Sequence, residues 1–137
     1  MNTGHEGSMT TVHANNPRDA FMRIENMVAM AGLNFPVSAI RQQTSSAIDI
    51  LIHLGRLTGG RRRVLFVSEV THMEGDKILL QDIMRFRQTG VGKDGHAQGH
   101  FEICGVRPQV LPRIHAQGLE IPDQFFPQRA IEEVAHV

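Results

Sequence analysis

A nearly continuous apolar segment, residues 47–54, constrains the fold of this chain more than any other feature. Its sequence, AIDILIHL, holds five large aliphatic side chains and is interrupted only by Asp49 and His53. A run of this kind is typical of a strand covered on both faces, as in the central sheet of an α/β protein. Asp49 and His53 are interpreted as polar groups near a strand end. The segment therefore predicts an α/β fold.

Two helices are predicted before this strand. Asn16 is a good N-cap, Pro17 suits the first helical position, and Gly32 is a stop signal, which places the first helix at about residues 17–31. Its apolar residues recur at helical spacing and predict one buried stripe. Three methionines are expected to widen that stripe, with a partner-binding groove as the alternative. The second helix is predicted from Pro36 to about residue 46.

After the apolar segment the pattern predicts further strands joined by turns. Thr58-Gly59-Gly60 is a turn signal, and three arginines follow it. These arginines could meet phosphate or a neighbour's carboxylates, or they could mark a solvated strand entry. The other expected elements are strands at residues 64–70, 78–87 and 101–104, a mobile loop or hairpin tip at 88–99, and helices at 108–117 and 128–136.

Composition excludes several classes of protein. Hydrophobic residues make up 41% and charged residues 20%, which indicates a folded chain. The net charge is zero and the pI is about 7.1, so a dedicated nucleic-acid surface is not expected. The single cysteine, Cys104, excludes an internal disulfide bond. No signal peptide and no run of about 18 apolar residues is present, so neither that route of secretion nor direct membrane insertion is predicted.

The N-terminal segment, residues 1–17, carries the residues best suited to chemistry. His5 and His13 bracket a turn rich in glycine, serine and threonine, and residues 8–13 are expected to form a short strand. A strand, a polar turn and a helix N-terminus together present an anion site in α/β proteins. His5-Glu6 begins like an HExxH zinc motif, but the fifth position is Met9. No metal site is therefore predicted.

Residues 2–15, NTGHEGSMTTVHAN, resemble the histidine box of the type II/IV secretion ATPases, most closely the Tad/Flp pilus-assembly branch. The similarity continues in the expected order to about residue 122, so that residues 1–122 would be one segment and 123–137 an irregular tail. The shared strings downstream are NPRDA with Arg23, MAGL before Pro36, AID, RRV, EV, MEGD, LQDI, GVRP and Gly118.

The resemblance implies the C-terminal part of a RecA-like P-loop NTPase core, with a mixed sheet and flanking helices. It implies a parent ATPase that couples ATP hydrolysis, with Mg²⁺, to protein secretion or pilus assembly. That parent would be a hexamer at the cytoplasmic face of the inner membrane, working with membrane-embedded secretion machinery. Histidine-box residues would lie near the γ-phosphate, and two arginines are candidates for phosphate or subunit contacts. These residues are His5, Gly7, Thr11 and His13 for the box, and Arg62 and Arg63 for the contacts.

The sequence departs from the family at the phosphate loop. A Walker A string, GxxxxGK[ST], is absent, and Gly92-Lys93 is followed by Asp94 rather than a hydroxyl residue. An acidic Walker B strand ahead of the histidine box is likewise not found within residues 1–137. We therefore expect the chain to correspond to the C-terminal portion of such an ATPase. We expect no ATP hydrolysis and no tightly bound cofactor in isolation.

A non-enzymatic interaction module is the second hypothesis. The strand at residues 8–13 would lack sheet neighbours, and an uncovered strand edge invites pairing with another chain. This hypothesis predicts self-association or binding to a parent ATPase. Nucleic-acid binding is not expected, because no Trp or Tyr is available for base stacking. The sequence shows no coherent set of catalytic or metal-binding residues that would indicate a free-standing metal or hydrolytic enzyme.

Overall fold

The computed structural model describes residues 7–32 and 34–132, and within them two helices precede a run of antiparallel strands. A short 3₁₀ turn, Asp123–Phe125, lies between the third helix and the last strand. The elements in chain order are α1 (Pro17–Met30), α2 (Val37–Ala47), β1 (Ile50–Arg56), β2 (Arg62–Glu74), β3 (Lys77–Val91), β4 (Ala97–Ile103), α3 (Leu111–Ala116) and β5 (Arg129–Glu132).

The five strands form one sheet in the order β1-β2-β3-β4-β5, and each neighbouring pair is antiparallel. Strands β1 to β4 are joined by short turns or loops, which is the connection that antiparallel pairing permits, whereas helix α3 lies in the longer connection between β4 and β5. The fold is α/β, as expected, but the pairing among the described residues is antiparallel rather than mixed. A RecA-like core is a finer expectation that this sheet does not test.

Strand β1 lies at the edge of the sheet, and this contradicts the prediction of a strand covered on both faces. Ile52 is 56% exposed and Leu54 is 60% exposed. The apolar run reflects a strand that leaves one face and one edge open among the described residues. Sequence periodicity could not distinguish this case from a central strand.

Helix α1 begins and ends where its capping residues predict. The Asn16 side chain accepts the backbone N–H of Asp19 at 2.9 Å, and Gly32 has a φ of +74°. Ala20 and Phe21 are buried, but Met22, Met27 and Met30 are 57%, 48% and 86% exposed. The expectation that these methionines widen the buried stripe is therefore wrong.

The two helices pack on each other and on the sheet. The Arg41 guanidinium donates two hydrogen bonds to the Glu25 carboxylate, at 2.7 and 3.1 Å, which raises the pKa of Arg41. Both helices contact strands of the sheet. The core is made of small and branched apolar side chains with two phenylalanines: Ala20, Phe21, Ile40, Val70, Phe86, Ala97, Ile103 and Leu111.

Three further segments differ from their predicted structure. Residues 7–14 have no regular secondary structure, so the strand expected at 8–13 is not formed. Strands β3 and β4 extend into the predicted mobile loop and leave a turn only at residues 92–96. Near the C-terminus, β5 pairs with β4 where the start of a helix was expected, and residues 133–137 lie outside the described residues.

Candidate functional site

A groove of about 620 Å³ is lined by residues 8–14 and by strand β1. Residues 8–14 are the wall segment of the groove. Apolar residues of the two helices also line it, chiefly Ala20, Ile24 and Ala47. A volume of this size is in the range of small-molecule binding sites.

The groove brings together three of the residues that the sequence singled out. Thr11, His13 and Arg62 all line it, although Arg62 is 49 positions from His13 in the sequence. Gly7 lies at the start of the wall segment and has a φ of +80°, a conformation that favours glycine. His5 lies outside the described residues.

Arg63 does not share this groove. Its guanidinium carbon lies 5.0 Å from the centroid of the Phe86 ring, in a cation–π contact. Adjacent residues of a strand point to opposite faces of the sheet, which separates Arg63 from Arg62. The two arginines that the sequence grouped together therefore have different surroundings.

Arg56, the last residue of β1, is a groove residue that sequence reasoning missed. It is the direct cross-strand partner of Arg62, and both line the groove. The signal was present in the sequence, because a turn centred on Thr58-Gly59-Gly60 places positions 56 and 62 opposite each other. The missing information was the exact strand register, which arises only once the hairpin is formed.

The turn that joins β1 to β2 is held by backbone hydrogen bonds. Gly60 donates to the carbonyl of Leu57 at 2.9 Å, and Leu57 donates to the carbonyl of Arg61 at 3.0 Å. The turn is also attached to the neighbouring hairpin, since the N–H of Ala97 donates to the carbonyl of Thr58 at 3.0 Å. Two hairpin turns therefore fix the end of the sheet that carries Arg56 and Arg62.

The ionisable side chains of the described residues that line the groove are all of the basic type. Within the part of the chain that the structure describes, they are two arginines and two histidines, and no Asp or Glu lines the groove. Arg61 differs, because its charge contributes to lowering the pKa of Asp94. The main cause of that lower pKa is the backbone N–H of His96, which donates to the Asp94 carboxylate at 3.1 Å. Asp94 therefore interacts with Arg61 and is not one of the residues that line the groove.

These side chains can bind an anion. Guanidinium groups and hydroxyls donate hydrogen bonds to phosphate or carboxylate oxygens, and imidazole can do so when its facing nitrogen is protonated. Among residues 7–32 and 34–132, no three His, Cys, Asp or Glu side chains are grouped so as to hold a metal ion. Nor does any helix in that part of the chain have the length and apolar character needed to span a membrane.

Comparison with known proteins shows that this chain is similar to proteins named as conjugal transfer proteins. Two proteins of Mycobacterium tuberculosis named as conjugal transfer proteins are 40% identical over 75 residues, which is 55% of this chain and 21% of each relative. The conjugal transfer protein TrbB of Rhizobium radiobacter is 35% identical over 74 residues, 54% of this chain and 20% of the relative. The chain spans about a fifth of the length of these relatives.

The sequence model of one protein family also matches this chain, over residues 1–103. The match includes the wall of the groove, both helices, strand β1 and the hairpin that carries Arg56 and Arg62. Because this match covers most of the length of the chain, the chain belongs to the type II/IV secretion system protein family.

Proposed function

We propose that this chain provides the C-terminal, nucleotide-responsive part of an ATPase that powers protein secretion or pilus assembly, of the Tad/Flp branch. In this proposal residues 2–15 are the histidine box, and His5, Gly7, Thr11 and His13 adjoin the ATP and Mg²⁺ held by a RecA-like core. Hydrolysis needs a phosphate loop that residues 1–137 do not contain. The chain therefore contributes to the site rather than completing it.

The observation that best supports this proposal is the convergence of Thr11, His13 and Arg62 on one groove that no carboxylate of the described residues lines. These residues come from separate parts of the sequence, the N-terminal segment and the start of β2. A phosphate bound between them would connect the N-terminal segment to the β1–β2 hairpin. Loss of that phosphate would release the connection, which is how a nucleotide state is converted into motion.

The working protein in this proposal is a hexamer at the cytoplasmic face of the inner membrane. The family membership and the relatives named as conjugal transfer proteins support a role in moving macromolecules across the envelope. The partners would be further copies of the ATPase and the inner-membrane secretion machinery.

The test is made in the organism that encodes the chain. We expect His13→Ala to reduce export or pilus assembly by at least about tenfold with unchanged protein abundance, as loss of a phosphate contact at a catalytic site does. Met30→Ala is the matched control, because Met30 is 86% exposed on helix α1 and lies outside the groove. Normal export by the His13→Ala strain would contradict the proposal.

An interaction module without nucleotide chemistry is the second candidate, and the open edge of β1 favours it. The strand pairs with β2 on one side only, and Ile52 and Leu54 on it are largely exposed. Exposed apolar edge strands recruit a further strand from another chain. In this case self-association of the chain would be its function rather than a consequence of isolation.

A further inference from the structure

Arg56 and Arg62 have the same charge, yet they are direct partners across the β1–β2 ladder. Like charges in directly opposed positions of a sheet destabilise it. Within the described residues neither arginine has a carboxylate partner, whereas Arg41, Arg85, Arg87, Arg107 and Arg113 each have one. The pair therefore has unused hydrogen-bond donors and two unbalanced positive charges.

The position of the pair indicates which surface these two charges face. Both residues line the groove, and the hydroxyl-bearing residues Ser8, Thr10 and Thr11 line it as well. Among residues 7–32 and 34–132, no acidic residue lines the groove to compete for the guanidinium groups. An oxyanion bound at this pair would meet two guanidinium groups in a groove that is also lined by hydroxyl residues.

We propose that Arg56 and Arg62 together form a recognition site for a doubly charged phosphate group. A dianion balances both charges, whereas a single carboxylate balances one of them, so the chemistry favours phosphate. Planar guanidinium groups also match phosphate oxygens through paired hydrogen bonds. The site thus consists of Arg56 with Arg62, and not of the adjacent pair Arg62 and Arg63.

This inference deepens the proposed function, and it depends on that function only for the source of the phosphate. The phosphate could belong to a nucleotide or could be free inorganic phosphate. The anion site itself requires neither secretion nor ATP hydrolysis. It can therefore be tested on the purified chain, separately from the export assay.

The experiment measures binding of inorganic phosphate and of ATP to the purified chain by calorimetry, at an ionic strength held constant with chloride. We expect Arg56→Gln and Arg62→Gln each to weaken phosphate binding by about tenfold or more, the loss of roughly one charge-assisted contact. Arg63→Gln and Arg23→Gln should change it less than twofold. Arg23 is an exposed arginine on α1 outside the groove.

A second measurement separates binding from folding. Removing one of two opposed positive charges should raise the melting temperature in phosphate-free, low-salt buffer, by about 2 °C for Arg56→Gln. The same variant should lose the stabilisation that phosphate gives the unmodified chain. A variant that is more stable yet binds less phosphate cannot be explained by misfolding.

The outcomes are distinct. Tighter binding of ATP than of phosphate, with the same loss in Arg56→Gln, supports the site and identifies a nucleotide as the source. Equal binding of both ligands, again lost in Arg56→Gln, supports the site and identifies free phosphate. Absence of phosphate and ATP binding, or an equal effect of Arg63→Gln, would overturn the proposal, while the export assay would still decide the function.

Discussion

The Oε1 atom of Glu69 lies 2.8 Å from the backbone nitrogen of Val110, which immediately precedes helix α3. The other carboxylate oxygen accepts the backbone N–H of Gln109, also at 2.8 Å. Glu69 is only 2% exposed and lies in the middle of β2. One buried side chain therefore attaches the start of a C-terminal helix to the sheet, and it satisfies the N–H of the N-cap residue Val110 and that of the residue before it.

Replacing this carboxylate should destabilise the fold without affecting the groove. We expect Glu69→Gln to lower the free energy of unfolding by about 2 kcal/mol, because one of the two N–H groups then faces an amide NH₂ instead of an oxygen. Urea denaturation measures the change. Glu120→Gln, at an exposed position, is the control and should change stability by less than about 0.5 kcal/mol. Equal effects of the two substitutions would show that the buried contact is unimportant.

Much of the local structure followed from the sequence, because short-range signals determine it. The cap at Asn16 and the stop at Gly32 located helix α1, and the turn signal at Thr58-Gly59-Gly60 located the β1–β2 hairpin. These signals act within a few residues, so tertiary packing did not alter them.

The errors concern properties that depend on distant residues. An apolar run predicts burial, but the position of β1 at the sheet edge depends on which strands the rest of the chain supplies. The methionines of α1 were expected to widen its buried stripe, yet burial on this helix is confined to the side that carries Ala20 and Phe21. Arg56 became a candidate residue only through its pairing with Arg62. Register and layer order are therefore what the sequence alone could not provide.

The Arg85–Glu102–Arg87 cluster should make stability depend on pH in the acid range. Glu102 Oε2 accepts hydrogen bonds from Arg85 Nε at 2.7 Å and from Arg87 Nε at 3.0 Å. These bonds, that of Arg85 first, lower the pKa of Glu102 from 4.5 to about 2. Because the pKa of Glu102 is lower in the folded chain than in the unfolded chain, its ionised carboxylate stabilises the fold. This stabilisation is complete above the unfolded-state pKa of about 4.5, and it is lost as the pH falls from about 4.5 towards 2.

Acid titration of Glu102→Gln tests this prediction. The variant should be less stable than the unmodified chain at pH 6, and its melting temperature should fall less between pH 5 and pH 2.5. Thermal melts followed by circular dichroism at each pH measure both quantities. A variant whose melting temperature follows the same acid slope as the unmodified chain would exclude Glu102 as a source of the dependence.

The open edge of β1 predicts concentration-dependent self-association. Ile52 and Leu54 are more than half exposed, and β1 contains none of the proline or lysine residues that commonly protect edge strands. We expect the mass measured by light scattering to rise with concentration. Ile52→Lys should reduce the rise by adding a charge to the edge, while Met30→Lys on α1 should leave it unchanged. A monodisperse monomer at high concentration would contradict self-association and with it the interaction-module hypothesis.

Gly59 and Gly60 provide a matched pair of substitutions in the turn that carries the arginines. Both have positive φ values, of +83° and +80°, so alanine at either position costs about 1 kcal/mol in backbone strain. A Cβ atom on Gly60 would meet nothing within 4 Å, whereas one on Gly59 would lie 2.8 Å from the carbonyl oxygen of Gly95 and would also contact the His96 ring. Gly59→Ala should therefore cost roughly 3 kcal/mol, because the two hairpin turns must separate.

The same pair of variants connects the turn to phosphate binding. Because the contact between the turns fixes the end of the sheet that holds Arg56 and Arg62, Gly59→Ala should weaken phosphate binding severalfold, and Gly60→Ala should leave it nearly unchanged. Urea denaturation and phosphate calorimetry on both variants measure the two effects. If Gly60→Ala were as harmful as Gly59→Ala, backbone strain alone would explain the loss. In that event the packing of the two turns would have no part in positioning the arginines.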